Sequence, residues 1–245
     1  LVGGLPLPSS TLHLGRPIHA YRAIRMWRRS WLSREVLLFS AFSGVAAVYA
    51  AMLWFGLPGG GYIGVLTVAI GIAGVTSSAC IYRVPSGPAW NTPYTLLQFN
   101  LTAAVLGPLF AAVVGGGNLR WLAIGAATMA SAQFVLLALR LFRCISSDSL
   151  ELRGTARLLS TVLAGRLVLR GVLLALGAVA LPLLAAGPQL LTPDAHTGSM
   201  AGASVMVAAL ALATTAEIVG RYLFFVSVVP KHLAAPYIAS ASEAS

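Results

Sequence analysis

Charged side chains are scarce in this chain of 245 residues: Asp, Glu, Lys and Arg make up 9% of it, whereas 58% is hydrophobic. A soluble domain needs about 25% charged residues, so the composition excludes an ordinary soluble protein. The 25 Gly and 13 Pro residues lie within apolar stretches, which excludes a disordered low-complexity chain. We therefore predict an all-α integral membrane protein, because a helix satisfies its own backbone hydrogen bonds in lipid.

Acidic residues and cysteines are too few for several kinds of active site. Only six acidic residues are present, so we expect no centre built from several carboxylates. Cys80 and Cys144 cannot ligate an iron–sulfur cluster alone and lack C-x-x-C spacing, so we expect them to be packing residues. Walker, Rossmann, zinc and Ser-His-Asp patterns are also lacking. No metal site is predicted.

Six segments are long and apolar enough to cross a membrane, which takes about 20 residues. They cover about residues 35–56, 62–82, 95–115, 119–142, 167–191 and 202–229, and we predict that they form a single transmembrane helical domain over 1–245. Residues 1–12 are too short to span and contain two prolines, so we expect the stub of an earlier helix. The chain begins without Met or a charged segment, so we expect no signal peptide.

Basic residues concentrate on one side of the predicted bundle. With six spans, segments 13–34, 83–94, 143–166 and the C-terminal tail share a side, and fourteen basic residues lie in or next to them. Arg120 falls on the other side, and Arg221 lies inside the last span. The positive-inside rule then places the basic side in the cytoplasm. The net charge of +10 is therefore better explained by topology than by nucleic-acid binding.

Segment 11–35 is unusually long, basic and aromatic for a connection between spans. One interpretation is an interfacial helix held by anionic lipid. The other is a docking platform for a soluble partner, formed by Arg22, Arg25, Arg28 and Arg29. His13 and Glu35 fall at the ends of this segment, where a His and a Glu facing each other can exchange protons with a quinone. The alternative for His13 is an interfacial hydrogen bond.

Two further positions are candidates. Trp90 lies in a rigid, turn-rich segment that is either an ordered connector or a wall of the same pocket, with the indole stacked on a flat ring. Glu217 and Arg221 are four residues apart in the last span and share a helix face. They form either an ion pair that packs helices or part of a proton or quinone site.

Haem is a competing cofactor, and it needs axial ligands, usually His, that project into the bundle. None of the four histidines falls in the middle of a predicted span. We therefore predict that this protein holds neither haem nor an iron–sulfur cluster. A haem-bearing anchor remains the alternative, and an absorption spectrum with a Soret band would reveal it.

Three blocks together resemble the membrane-anchor subunit of the DMSO reductase family of molybdenum oxidoreductases. They are residues 10–17 with 32–35, residues 83–93 with their central Trp90, and residues 217–225. The resemblance spans most of the chain and implies an eight-helix anchor without haem, of which six helices and the stub are present here. It also implies that His13 and Glu35 handle quinol.

The resemblance implies a complex of three parts. The catalytic part holds molybdopterin, a ferredoxin-like subunit holds iron–sulfur clusters, and the anchor exchanges electrons with ubiquinone or menaquinone. Beneath the partner, His13 and Glu35 would exchange protons, Trp90 would contact the ring, and Arg16 or Arg34 would stabilise the charge of a reduced quinone.

The side of the membrane that carries the basic residues distinguishes between members of this family. Because that side is predicted to be cytoplasmic, we expect a bacterial inner-membrane anchor with soluble partners in the cytoplasm, and a quinone-linked sulfite dehydrogenase as the complex. The alternative is the quinol-oxidising anchor of a terminal reductase like DMSO reductase. An alternative of another class is a transporter, which predicts a repeat between the two halves that the sequence does not show.

Overall fold

The computed structural model describes residues 26–115, 117–191 and 200–231, without the side chains of 188–191 and 200–202. Every regular element in these ranges is helical, which confirms the all-α class. In order along the sequence they are α1 (Trp31–Trp54), α2 (Gly60–Ile81), α3 (Pro93–Val113), α4 (Leu119–Ile145), α5 (Leu150–Ser160), α6 (Ala164–Leu174), a π-helical segment (Ala175–Ala180), α7 (Leu181–Leu191) and α8 (Met200–Val226).

Six spans in the described part of the chain are long and apolar enough to cross a membrane, as predicted. Their ends differ from the predicted ones by four residues or fewer. The predicted stub at 1–12 lies outside the described residues. The helices divide into two compact units, residues 1–83 and 84–245, and the single-domain organisation stays a prediction.

The first unit contains the helical hairpin α1–α2. Gly56 and Gly59 between the helices have φ of 63° and 86°, a left-handed backbone that favours glycine. Aromatic rings of α1 pack onto glycines of α2, where a Cβ would lie only 3.1–3.3 Å from the nearest ring atom. The pairs are Tyr49 on Gly64, Phe42 on Gly71 and Phe39 on Gly74. Small residues thus bring the two helices together, as expected in lipid.

The second unit is a bundle in which α8 packs against α3, α6, α7 and the π-helical segment. Its core is rich in alanine, which allows helix backbones to approach closely. The core residues are Val105, Leu109, Ala126, Ala130, Leu174, Ala178, Met206, Ala213 and Ala216.

The fifth span is interrupted by the π-helical segment, which the sequence analysis did not predict. The buried Pro182 follows it and has no backbone N–H to donate to the preceding turn, which accounts for a local departure from α-helix. Gly177 within the segment lies against the backbone of α8, where a Cβ would be 2.5 Å from Ala213 N.

The connection 143–166 contains the short helix α5, where the sequence analysis predicts only a loop. The Ser149 side chain caps this helix by accepting from Leu152 N at 3.4 Å. Leu159 buries the inner face of α5 in a small cluster with Leu163 and Leu223. Because α5 connects the end of α4 to the start of α6, it lies at one end of the second unit.

Candidate functional site

Only part of the predicted quinone site falls within the described residues. Arg34 and Glu35 lie in the first unit and Trp90 lies in the second. His13 and Arg16 lie outside the described residues, as do two of the predicted docking arginines, Arg22 and Arg25. The other two, Arg28 and Arg29, are exposed.

Arg34 is held in a fixed orientation at the start of α1. Its Nε donates to Trp27 O and its Nη2 to Arg28 O, both at 2.9 Å. Its guanidinium carbon lies 4.2 Å from the ring centroid of Trp31, which is cation–π geometry. Nη1 has no hydrogen-bond partner in the described part of the chain.

A cavity of about 350 Å³ opens beside this arginine. Its lining residues are Trp27, Arg28, Arg34, Leu37 and Leu38. Small-molecule sites typically measure about 300–1,000 Å³ and combine apolar walls with a few polar groups. The cavity meets both criteria, with one indole and two leucines as walls and two guanidinium groups as donors.

Glu35 faces the second helix of the hairpin. Its Oε1 accepts a hydrogen bond from the Ser78 hydroxyl near the end of α2. Neighbouring residues on a helix point about 100° apart, so Arg34 turns to the cavity while Glu35 turns to α2. The half-buried carboxyl thus lies next to the cavity in the sequence but is not among its lining residues.

Trp90 is anchored to α8 within the second unit. Its Nε1 donates to Phe224 O at 2.8 Å, and its ring stacks on Phe224 with 5.6 Å between centroids. Gly87 provides the room, because a Cβ there would lie 2.8 Å from the indole. These contacts give Trp90 a packing role, and a quinone contact for it stays a prediction.

Glu217 is the centre of a buried hydrogen-bond network in the second unit. Its side chain is only 5% exposed. Oε2 accepts from the Thr102 hydroxyl and Oε1 from Gln133 Nε2, both at 2.7 Å. On its other side, Gln133 Oε1 accepts from Arg170 Nη2 at 3.0 Å. One amide therefore joins a carboxylate to a guanidinium inside the bundle.

Gly220 makes room for this arginine. A Cβ at Gly220 would lie 2.6 Å from Arg170 Nε and 2.9 Å from its Cζ. Any side chain at this position of α8 would therefore displace the guanidinium from the network.

A second buried arginine lies nearby. Arg140 Nη1 donates to Gln98 Oε1 at 3.1 Å, while its Nε and Nη2 have no hydrogen-bond partner among the described residues. A cavity of about 10 Å³ lies between Gln98, Gln133, Arg140 and Arg170, which is about the smallest space that holds one water.

The predicted pairing of Glu217 with Arg221 stays a prediction. The guanidinium carbon of Arg221 lies 3.5 Å from the ring centroid of Phe99, so a cation–π contact accounts for part of its surroundings. In the described part of the chain, no three His, Cys, Asp or Glu residues come together as metal ligands.

The sequence model of the DMSO reductase anchor subunit family (DmsC) matches residues 2–226. The chain belongs to this family of membrane anchors. As an anchor with six apolar spans in its described part, it is a multi-pass membrane protein.

Three curated relatives are similar to this anchor over part of its length. Anaerobic dimethyl sulfoxide reductase chain YnfH of Escherichia coli is 31% identical over 117 residues, or 46% of this chain and 41% of the relative. A sulfite dehydrogenase subunit of Allochromatium vinosum is 33% identical over 126 residues, or 46% and 38%. An anaerobic dimethyl sulfoxide reductase chain of Haemophilus influenzae is 30% identical over 109 residues, or 43% and 39%. The matches thus span about two fifths of each relative, and no solved structure matches the anchor.

The buried network of the anchor includes residues that the sequence analysis did not select. Gln98, Gln133 and Thr102 were not singled out, and Arg140 and Arg170 were counted with the neighbouring basic connection. A usable signal was present, because amides and arginines inside apolar spans are costly in lipid unless they have partners.

Proposed function

We propose that this protein anchors a molybdopterin and iron–sulfur oxidoreductase in the membrane and passes electrons between its iron–sulfur partner and the quinone pool. The observation that carries the proposal is the cavity of about 350 Å³ in the first unit, with Arg34 on its wall and Glu35 next in the sequence. Family membership supports the anchor role, and the cavity supports a small apolar ligand.

The residues that line the cavity suit a quinone, either ubiquinone or menaquinone. Trp27, Leu37 and Leu38 offer apolar surface to a flat ring, and the guanidinium groups of Arg28 and Arg34 offer donors to its oxygens. When bound, a quinone takes up or releases two electrons and two protons. Arg34 would stabilise negative charge without reorganising, because two carbonyls and Trp31 already hold it.

Glu35 is the proposed proton-exchanging group of the described part of the site. Its Oε1 already accepts a hydrogen bond from the Ser78 hydroxyl, which holds the carboxyl in place for proton exchange. We propose that His13 and Arg16 complete the site, as the family resemblance implies. A quinone contact by Trp90 stays a separate prediction from the sequence, and its ring is engaged with Phe224 in the second unit.

The proposed direction of electron flow is toward quinone, during sulfite oxidation. Similarity to the sulfite dehydrogenase subunit favours sulfite oxidation. The concentration of arginines on one predicted side favours a cytoplasm-facing complex in a bacterial inner membrane. Similarity to two dimethyl sulfoxide reductase chains favours the second candidate, a quinol-oxidising anchor of a terminal reductase.

The soluble partners are proposed to dock on the basic segment before α1. Arg28 and Arg29 are exposed there, and Arg22 and Arg25 precede them in the sequence. An acidic surface on the iron–sulfur subunit would complement these charges.

Variants at the proton-exchanging positions test the quinone site. In the purified complex, Glu35→Gln or His13→Ala should abolish quinone-linked turnover and leave dye-linked turnover of the soluble subunits unchanged. Glu151→Gln is the matched control, because it makes the same change at a half-buried carboxyl in the second unit. Quinone turnover that survives both changes would place the site elsewhere.

A cavity-filling variant tests the binding pocket itself. Leu38→Trp adds volume to the wall and should raise KM for quinone several-fold without altering dye-linked activity. An unchanged KM would show that the cavity does not bind the ring.

Charge neutralisation tests the docking surface. Changing Arg25, Arg28 and Arg29 to Gln should release the soluble subunits at a lower salt concentration than in the parent. The proposed ion pairs between the subunits and these arginines are weakened by salt, and the variant has fewer of them. Arg120→Gln is the control, since Arg120 lies on the predicted opposite side. Partner retention in high salt by the triple variant would assign these arginines to the lipid instead.

A further inference from the structure

The helix α5 presents an unassigned basic surface at one end of the second unit. Arg153 and Arg157 are exposed and lie four residues apart, so they share a face of the helix. The opposite face, with Thr155, Ala156 and Leu159, is buried against the bundle. The helix is therefore fixed to the unit with its arginines directed outward.

More basic groups surround this helix than acidic ones. Arg143, Arg166 and Lys231 are also exposed in the segments next to α5, and the acidic residues among the described part of these segments are Asp148 and Glu151. The Ser149 hydroxyl donates to Glu151 Oε2 at 2.6 Å and lowers the pKa of that carboxyl, with a smaller contribution from nearby Lys231. Glu151 thus remains an anion, and the arginines provide the excess positive charge.

Exposed apolar side chains accompany these charges. Leu150 at the start of α5 is 55% exposed, and Val162 just after it is 77% exposed. Phe142 and Ile145 in the last turns of α4 are exposed as well. Apolar and cationic groups side by side are typical of a helix at the boundary between acyl chains and headgroups.

Arg166 has the position expected of a residue at this boundary. Its guanidinium donates to the Tyr222 hydroxyl, and its carbon lies 4.6 Å from the Tyr222 ring centroid. Tyrosine is enriched where a membrane meets water. Because α4 ends and α6 begins beside α5, the helix lies at the level at which two spans leave the membrane.

We propose that α5 and the neighbouring basic residues bind anionic phospholipid, with Arg153 and Arg157 contacting the headgroup phosphate. A phosphodiester without a compensating amine complements the excess positive charge, and guanidinium binds phosphate oxygens in a bidentate manner. The exposed leucine and valine favour lipid over a water-soluble partner, because they need the acyl-chain region beside the headgroups. The inference does not depend on the quinone site.

Binding of two lipids to the purified protein tests the proposal. Phosphatidylglycerol should bind and raise Tm in mild detergent, whereas phosphatidylcholine should not. Arg153→Gln with Arg157→Gln should weaken phosphatidylglycerol binding about 25-fold, the loss expected at about 1 kcal/mol for each arginine near an anionic headgroup. Native mass spectrometry of retained lipid gives the dissociation constant directly.

Two matched variants keep the test decisive. Arg120→Gln makes the same charge change at the start of α4 and should keep the parent affinity. Arg153→Lys with Arg157→Lys keeps the charge but loses the bidentate geometry, so its affinity should lie between those of the parent and the double Gln variant, which separates lost contacts from lost folding. Equal weakening by Arg120→Gln, or parent affinity in the double Gln variant, would overturn the proposal. A double Gln variant that loses its soluble subunits but keeps its lipid would also overturn it.

Discussion

A methyl group at Gly220 should disrupt the buried network of the second unit. In Gly220→Ala the new Cβ would lie 2.6 Å from Arg170 Nε, whereas an ordinary contact needs about 3.5 Å. The guanidinium must therefore move by about 1 Å. A shift of that size strains its 3.0 Å hydrogen bond to Gln133.

The magnitude follows from two contributions. Overpacking a well-filled interior costs about 1–3 kcal/mol. A lost interhelical hydrogen bond in a membrane protein adds about 0.6 kcal/mol on average and up to about 1.7 kcal/mol. We expect a loss of about 2–4 kcal/mol in the free energy of unfolding, which lowers Tm by about 4–8 °C for a protein of this size.

Thermal unfolding in mild detergent measures this effect, and Gly107→Ala is its matched control. Nothing lies within 4 Å of a Cβ at Gly107, so the same substitution should leave Tm unchanged or raise it slightly through helix propensity. In an Arg170→Leu background, Gly220→Ala should cost less, because the clashing group is gone. A Tm within about 1 °C of the parent for Gly220→Ala alone would refute the placement of Arg170.

Three other substitutions test separate parts of the fold. Gly177→Ala should lower Tm more than Gly220→Ala, because its Cβ would meet backbone atoms of α8 at 2.5 and 2.8 Å, which cannot rotate away. Ser149→Ala should destabilise α5 by about 1 kcal/mol through the lost cap, as hydrogen exchange in that helix would show. The pKa of the Glu151 carboxyl is lowered in the folded parent, so the stability that this carboxyl contributes is present above its pKa in the unfolded chain. That contribution is lost as pH falls through its pKa in the folded protein. The difference in stability between the parent and Ser149→Ala should therefore shrink in acid. Trp90→Phe should keep ring packing but lose the hydrogen bond to α8, which lowers Tm by a few degrees.

The spans were predictable from sequence because lipid imposes a simple constraint. A helix must be apolar over about 20 residues to cross the hydrocarbon, and this requirement located all six described spans to within four residues. Helix α5 was missed because hydropathy does not register a short amphipathic helix. The π-helical segment was missed because apolar composition continues through it without change.

The site was predictable only where a residue type carries its own chemistry. Glu217 stood out as an acid within an apolar span, but its partners Thr102 and Gln133 come from α3 and α4, 115 and 84 residues away in the sequence. A spacing of four residues suggested Arg221, and that pairing stays a prediction. Spacing within one helix cannot reveal partners that other helices contribute. The cavity beside Arg34 likewise depends on a turn preceding α1 that no sequence pattern specified.

The orientation of Gln133 explains how a carboxylate and a guanidinium are both accommodated inside the bundle. Its amide nitrogen donates to Glu217 and its amide oxygen accepts from Arg170, so a reversed amide would set like groups against each other at both ends. Hydrogen-bond donors thus meet both oxygens of the Glu217 carboxyl, and the Arg170 guanidinium lies one amide away. This arrangement favours a structural role for Glu217.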